Sequence, residues 1–324
     1  MSLIVYGTVG IDTVHTPTGK AENVLGGSCM YFSAAASFHG PVRLVAAVGG
    51  DFEPKYRDVL KKFPAIDARG LEARPASKTF RWGGRYFDNM NSRETLFTEL
   101  GVLLEHPTTP PPAFADSEFV FLANSHPGVQ LGMLANFPRR RLVVADTMDL
   151  WINTARTDLE RLLVAVDGLV LNYDEAELLT GKKNPVTAAR HLLDDYGVGA
   201  PGRATRPAPR GKLTFVVVKK GEHGCLFIHR DGIAALPAFP AEQVIDPTGA
   251  GDTFAGGMMG HIAAEAAAGR LKDPASFETI QRALAHATVV ASFNIESFTL
   301  SRLETLTKAE LDARYAEFSR MVRV

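Results

Sequence analysis

Asp246-Pro-Thr-Gly-Ala-Gly-Asp-Thr-Phe-Ala-Gly-Gly257 puts a tight glycine turn, a row of backbone amides and an acid at the start of one predicted helix. The first N–H groups of a helix lack intrahelical partners and carry the positive end of the macrodipole, so a phosphate docks there without a basic side chain. Gly249 and Gly251 permit the close approach, and Gly256-Gly257 thins the helix for packing. Asp252 falls inside the same turn, where a carboxylate beside a phosphate is repelled unless it has a task such as taking a proton from a hydroxyl. The plainer reading makes Asp246 or Thr248 an N-cap and the glycines a loop, but it leaves the second acid and the glycine pair unexplained.

Outward from this turn the chain alternates. Apolar runs at 3–6, 44–48, 119–122, 142–145, 169–171, 215–218 and 225–228 read as buried strands. Helical periodicity fills 28–39, 129–136, 157–166, 174–180 and 187–196. The alternation predicts an α/β fold, a mainly parallel central sheet with helices on both faces. Beyond residue 250 the pattern is wholly helical, at 250–269, 276–292 and 308–321. Two early stretches break the rhythm: 13–24 is polar with Pro17 and Gly19, and 78–104 mixes Phe80, Trp82, Tyr86 and Phe97 with polar residues, so both read as exposed strands. A Pro-, Gly- and Arg-rich insertion at 199–212 reads as a surface loop. With no repeat and no linker, 1–324 reads as one domain.

Composition bounds the partners. The 324 residues carry 35 basic and 36 acidic side chains, a net charge of −1, so no global field draws in nucleic acid or an anionic membrane. A small molecule is the expected partner. The two cysteines, Cys29 and Cys225, sit in small-residue and apolar patterns, which indicates neither a disulfide framework nor a metal cluster and fits a reducing cytoplasm. Residues 1–7 read as a first strand rather than a signal segment. The longest apolar helix pattern, 255–268, is broken by His261 and Glu265 and falls short of the roughly 20 residues of a membrane span.

Further polar groups cluster at the ends of predicted strands. Asn172-Tyr-Asp-Glu175 follows the 169–171 run, and its spacing suits a helix capping box as well as a ligand pair. Lys219-Lys-Gly-Glu-His-Gly-Cys225 joins two β runs through glycines at 221 and 224, a bare hairpin if nothing more. Gly7-Thr-Val-Gly-Ile-Asp12 follows the first strand, but it is not GxGxxG and its acid comes too soon for a dinucleotide fingerprint, so NAD binding is excluded. Asp12 is then a loop cap or a ligand to hydroxyls. Leu25-Gly-Gly-Ser-Cys-Met-Tyr31 opens a helix of small residues, with Gly26 and Gly27 allowing backbone approach. Arg81 and Arg85 flank Trp82-Gly-Gly84, with Asn89, Asn91 and Arg93 following closely, and these side chains solvate an exposed strand or, turned inward, grip a phosphate. Asp146-Thr147 ends the 142–145 run and is a further candidate for substrate contact.

Together these segments resemble the ribokinase family of carbohydrate kinases (PfkB type), whose C-terminal signature reads DTxGAGD, with Pro247 a variant at its second position. The resemblance spans the chain, with the GG pair, the NxxE motif, the Gly-x-x-Gly turn and the signature in the family's order. It implies a ribokinase-like three-layer sandwich with a small β lid formed by about 13–24 and 78–104. It also implies an ATP- and Mg²⁺-dependent kinase acting on a hydroxymethyl group of a sugar or nucleoside. Carried over, Asp252 is the base and Gly249, Ala250 and Gly251 form an anion hole. Glu175 and Asn172 hold the Mg²⁺ shell, partly through water. Lys220, Gly221, Gly224 and Thr248 contact the nucleotide, while Asp12, Gly26 and Gly27 contact the acceptor. The family commonly has Asn where this chain has Tyr31, so the acceptor's contacts differ there. Ser292-Phe-Asn-Ile-Glu-Ser297 matches loosely a region that, with Asp246 and the Thr248 carbonyl, can bind a monovalent cation such as K⁺. A lid face carrying Phe and Trp could pair two copies into a homodimer. Two alternatives stand beside this reading: a sugar-phosphate kinase using Arg81 and Arg85, and a catalytically silent sensor of the same fold.

Overall fold

Every residue of the first strand, β1 (Leu3–Tyr6), is buried, as its uninterrupted apolar run requires of a strand covered on both faces. The computed structural model describes residues 2–198 and 211–323, so the insertion expected as a loop lies outside the described residues except for 211 and 212. After β1 come β2 (Gly10–Thr16), β3 (Gly19–Gly26), α1 (Ser28–Ser37), β4 (Val42–Gly49), α2 (Pro54–Lys61), β5 (Ile66–Arg74), β6 (Phe80–Tyr86) and β7 (Arg93–Glu99). The middle of the chain forms β8 (Phe119–Leu122), α3 (Pro127–Met133), β9 (Leu142–Asp146), α4 (Asp149–Thr154), α5 (Arg156–Ala165), β10 (Gly168–Asn172), α6 (Tyr173–Thr180) and α7 (Pro185–Tyr196). Then follow β11 (Phe215–Lys219), β12 (Cys225–His229), β13 (Gly232–Leu236), α8 (Ala250–Ala267), α9 (Phe277–Asn294), α10 (Ser301–Thr305) and α11 (Lys308–Met321).

Nine strands form the central sheet in the order β13-β12-β11-β10-β9-β8-β1-β4-β5. All neighbours from β11 to β5 run parallel, and only β12 and β13 turn back antiparallel. Because β4 and β8 flank β1 on opposite sides, the chain reverses direction there and opens a crevice at the strands' carboxyl ends, where such sheets bind ligands. Alternate side chains feed two cores: Leu3 and Val5 join the layer of α1, α8 and α9, while Ile4 and Tyr6 join the opposite layer. Phe32 of α1 stacks on Phe121 of β8 at 4.5 Å. Sequence periodicity did not separate β5 or α2, because β5 is an edge strand with mixed burial and α2 buries only Tyr56.

The remaining strands form a four-stranded sheet, β3-β2-β6-β7, with β2 and β6 parallel. It stands over the crevice as a small lid. Helix α8 fits between α1 and α9 because of its glycines. A Cβ on Gly256 would lie 2.2 Å from the Phe32 carbonyl oxygen, and one on Gly257 would lie 2.4 Å from a Val290 methyl. The glycine pair therefore sets the depth at which the start of α8 meets the sheet. Among the described residues no helix is long and apolar enough to cross a membrane.

Candidate active site

A cavity of about 1600 Å³ lies between the lid, the carboxyl ends of the central strands and the start of α8. Gly249 makes that start possible: it holds a left-handed φ of 74°, and a Cβ there would lie 2.3 Å from the Tyr31 ring. No side chain caps α8, and the Ala250 N–H closes the turn on the Pro247 carbonyl at 3.2 Å. Gly249, Ala250, Gly251 and Asp252 all line the cavity, as does Thr248 behind them. Burial pushes the Asp252 carboxyl up to about 6, against the pull of the Lys219 and Arg93 charges.

Lys219 was not singled out from sequence, which favoured Lys220. The strand register explains the difference. Lys219 ends β11 directly beside Asn172 of β10, and its ammonium lies where a Cβ on Gly251 would come within 2.6 Å of Nζ. Lys219 therefore faces the cavity, while Lys220 does not line it and serves through its backbone N–H, which donates to the Gly224 carbonyl at 2.7 Å. The turn itself, with Gly221 at φ 55° and Gly224 at φ 75°, is on the cavity wall. Lys219 is the last residue of β11 and Lys220 already belongs to the turn, so the adjacent lysines are not interchangeable.

Asn172 and Glu175 form the capping box that their spacing allowed: the Glu175 N–H donates to Asn172 Oδ1 and the Asn172 N–H to Glu175 Oε2, each at 2.8 Å. Both nevertheless line the cavity, so capping fixes them there rather than excluding another role. Burial raises the Glu175 carboxyl, with Lys219 opposing. Asp146, at the end of β9, faces the same Lys219 and Asp252. Burial first and the Asp252 charge second push it well above the usual carboxylate range. Its Oδ1 is buried with no hydrogen-bond partner among the described residues. An oxygen-rich corner of this kind, with an unpaired carboxylate oxygen, fits a hard divalent cation such as Mg²⁺.

At the other end of the cavity Asp12 lies in β2, 4% exposed, where the Gly27 N–H donates to its carboxylate. Burial raises Asp12 to about 7, with smaller contributions from Asp246 and Asp252. Gly26 does not line the cavity but makes room for this acid, since a Cβ there would lie 1.9 Å from Asp12 Oδ2. Gly27 lines it at φ 94°. Tyr31 is fully buried beneath Gly249, and its hydroxyl has no hydrogen-bond partner among the described residues.

The lid arginines correct the sequence expectation. Arg81 donates to Asn23 at 3.0 Å and pairs with Asp51 at 3.5 Å, Arg85 pairs with Glu94 at 3.1 Å, and neither lines the cavity. The cause is strand alternation: Phe80, Trp82 and Tyr86 take the inner face of β6, so the residues at 81 and 85 face outward. Trp82 therefore belongs to the inner face, and the outer face keeps Phe97. A lid arginine that does reach the cavity is Arg93 of β7, its guanidinium 5.4 Å from the Trp82 ring centre. Two contacts tie the lid to the opposite wall. Thr248 Oγ1 donates to Tyr86 Oη at 3.3 Å, and Asn91 Nδ2 donates to Glu222 at 3.0 Å. Farther out, Trp151 donates from Nε1 to Asn124 at 2.9 Å and meets His126 edge-on at 5.2 Å, a polar and aromatic shelf that sequence reading missed because the segments after two different strands, β8 and β9, supply it.

Known proteins resemble this chain in sequence and in fold. The model of the pfkB family carbohydrate kinases matches residues 140–305. The cytidine kinase of Thermococcus kodakarensis is 29% identical over 267 residues, covering 80% of this chain and 87% of its own. A nucleoside kinase of Methanothermobacter thermautotrophicus is 27% identical over 266 residues, 75% of this chain and 73% of its own. Among solved structures, the Burkholderia thailandensis nucleoside kinase in complex with inosine superposes with a TM-score of 0.72 at 18% identity, covering 98% of each chain.

Proposed function

The chain belongs to the pfkB family of carbohydrate kinases, and on that premise we propose that it transfers the γ-phosphoryl group of ATP to a hydroxymethyl group of a nucleoside, with sugars as the neighbouring acceptor class. The observation that carries this is one cavity holding a half-buried acid in the first turn of α8, the Gly249 to Gly251 backbone, the Lys219 ammonium and the Asp12 carboxylate. In the proposed step Asp252 takes the acceptor's hydroxyl proton, the hydroxyl oxygen bonds to the γ-phosphorus, and the bond to the β,γ-bridging oxygen breaks to release ADP. A carboxyl held at about 6 is mostly ionised at neutral pH yet basic enough to accept the proton. Lys219 and the amides of Gly249 and Gly251 steady the charge that builds on the transferring group, while the Ala250 N–H closes the turn that presents them.

Asp146 and Glu175, with Asn172, would hold Mg²⁺, in part through water, and the ion would supply positive charge against the ATP phosphates. The Lys219 to Gly224 turn would support the nucleotide, and Asn91 would close the lid onto it. Asp12 and the Tyr31 hydroxyl, both buried with polar atoms toward the acceptor end, suit a pair of ring hydroxyls. The Trp151 shelf offers a face on which a base can stack, which favours a nucleoside over a free sugar. A sugar phosphate keeps less support, since Arg81 and Arg85 are engaged outside the cavity and of that lid group of arginines Arg93 alone lines it. Leu96 and Phe97, 38% and 37% exposed on the outer strand of the lid, support pairing of two copies through it.

The test is ATP turnover with Mg²⁺ across nucleosides, free sugars and sugar phosphates, with the product read by phosphorus NMR. Preferred turnover of a nucleoside at its hydroxymethyl group is expected. Preference for a sugar phosphate would overturn the acceptor assignment.

A further inference from the structure

Behind the anion-hole turn stands Asn294, the last residue of α9, fully buried at 0% exposure. Its amide nitrogen donates to the Thr248 carbonyl at 2.8 Å, and its Oδ1 accepts from the Thr253 hydroxyl at 3.2 Å. The amide orientation follows from the partners, because the opposite flip would set two oxygens against each other at Thr248. Asn294 thereby clips the residue before Gly249 to the residue after Asp252.

Asp246, also at 0% exposure, has both carboxylate oxygens taken by backbone donors: the Thr248 N–H at 2.8 Å and the Thr299 N–H at 2.9 Å. The Ile295 carbonyl beside them receives the Ile245 N–H at 2.8 Å. A monovalent cation at this corner needs the Asp246 carboxylate and the Thr248 carbonyl to converge on it with no donor hydrogen standing between them and the ion. Here each of these oxygens already faces a protein N–H, and the amide hydrogens of Asn294 stand where a cation bound to the Thr248 oxygen would be repelled. The residues present do not fit the ion that the family resemblance implied.

We propose that Asn294 is a positioning residue that takes the place of a monovalent cation, so that this enzyme works without one. The proposal rests on the kinase reading above. A buried amide donor supplies a partial positive charge at the Thr248 carbonyl and fixes the turn in which the Gly249 and Gly251 amides are presented. Unlike an ion, it cannot be diluted away.

The test compares wild type, Asn294→Asp and Asn294→Ala in potassium chloride and in choline chloride at equal ionic strength, with the best acceptor and Mg²⁺-ATP. Wild type is expected to keep kcat and thermal midpoint unchanged between the two salts. Asn294→Asp replaces the donor by an oxygen ligand. It is expected to lose kcat about tenfold in choline and to recover in potassium, with a thermal midpoint that potassium raises. Asn294→Ala is expected to lose kcat with less recovery. A wild type activated several-fold by potassium would overturn the proposal, even if neither variant folds. Equal losses for folded variants in both salts would overturn it as well. Absence of turnover by wild type in either salt would instead count against the kinase reading, and the wild-type midpoint shift with potassium would still decide the cation question.

Discussion

The two ends of the cavity are built on opposite principles. At the start of α8 the chain is packed backbone against backbone: Gly256 and Gly257 leave no room for a methyl group, Gly249 lies against the Tyr31 ring, and Thr253 is held by the buried Asn294. At the lid, β7 is exposed along its whole length, and a register shift between Gly83 and Gly84 leaves Leu96 without an opposite number. Dense packing fixes an acid and a set of amides to within a fraction of an ångström, as charge transfer requires. An exposed sheet can shift to admit ligands and exchanges side chains at little cost. The difference teaches that the chemical step and the choice of acceptor are separable in this molecule.

The largest expected effect tests the packed end. Asp252→Asn keeps the shape of the side chain but cannot accept a proton, so kcat should fall by about 10²- to 10⁴-fold with ATP affinity largely kept. A variant with near-normal kcat would remove Asp252 as the base. The same group sets the pH response. Its folded pKa lies at about 6, and the base is active only when ionised, so kcat/KM should fall about tenfold per unit as pH drops below about 6. Asp12, held at about 7, steepens that limb if ionised Asp12 is what binds the acceptor. An acid limb that persists unchanged in a weakly active Asp252→Asn enzyme would assign it to another group.

Stability separates the ends next. Gly249→Ala places a methyl group within 2.3 Å of a buried ring at φ 74°, and overpacking plus left-handed strain should cost about 2–5 kcal/mol. Gly83→Ala meets Phe97 at a nominal 2.4 Å, but that ring is 37% exposed and can swing outward, so its cost should stay below about 1 kcal/mol. Equal shifts in denaturant midpoint would erase the contrast. The smallest effect lies within the lid itself. Arg93→Ala should lower kcat several-fold, because its charge helps hold Asp252 ionised. Arg81→Ala and Arg85→Ala, both outside the cavity, should change kcat/KM less than about twofold. Steady-state kinetics on the three variants would show whether the lid's inner and outer faces divide as alternation places them.

Much of the packed end was legible because short-range rules govern it. The runs at 3–6 and 119–122 appear as β1 and β8 with the same limits, since strands covered on both faces must be apolar throughout. The glycine turn announced a helix start, and α8 begins at Ala250. The lid was legible as exposed strand but not by face. Arg81 and Arg85 drew attention as charges, while the spacing of Phe80, Trp82 and Tyr86 already carried the information that even positions point inward. Lys219 could have been preferred to Lys220 only by knowing which residue ends β11 beside Asn172.

By itself the sequence determined the alternation of most strands and helices, the glycine turn and the identity of the acid within it, because hydrophobic period and backbone permissiveness are local properties. Tertiary structure alone decided which of two adjacent lysines enters the cavity, that Tyr31 fills the space Gly249 leaves open, and that Asn294 reaches the Thr248 carbonyl from 46 residues away. Those choices depend on strand register and helix packing, which bring distant residues to contact distances that no single segment encodes.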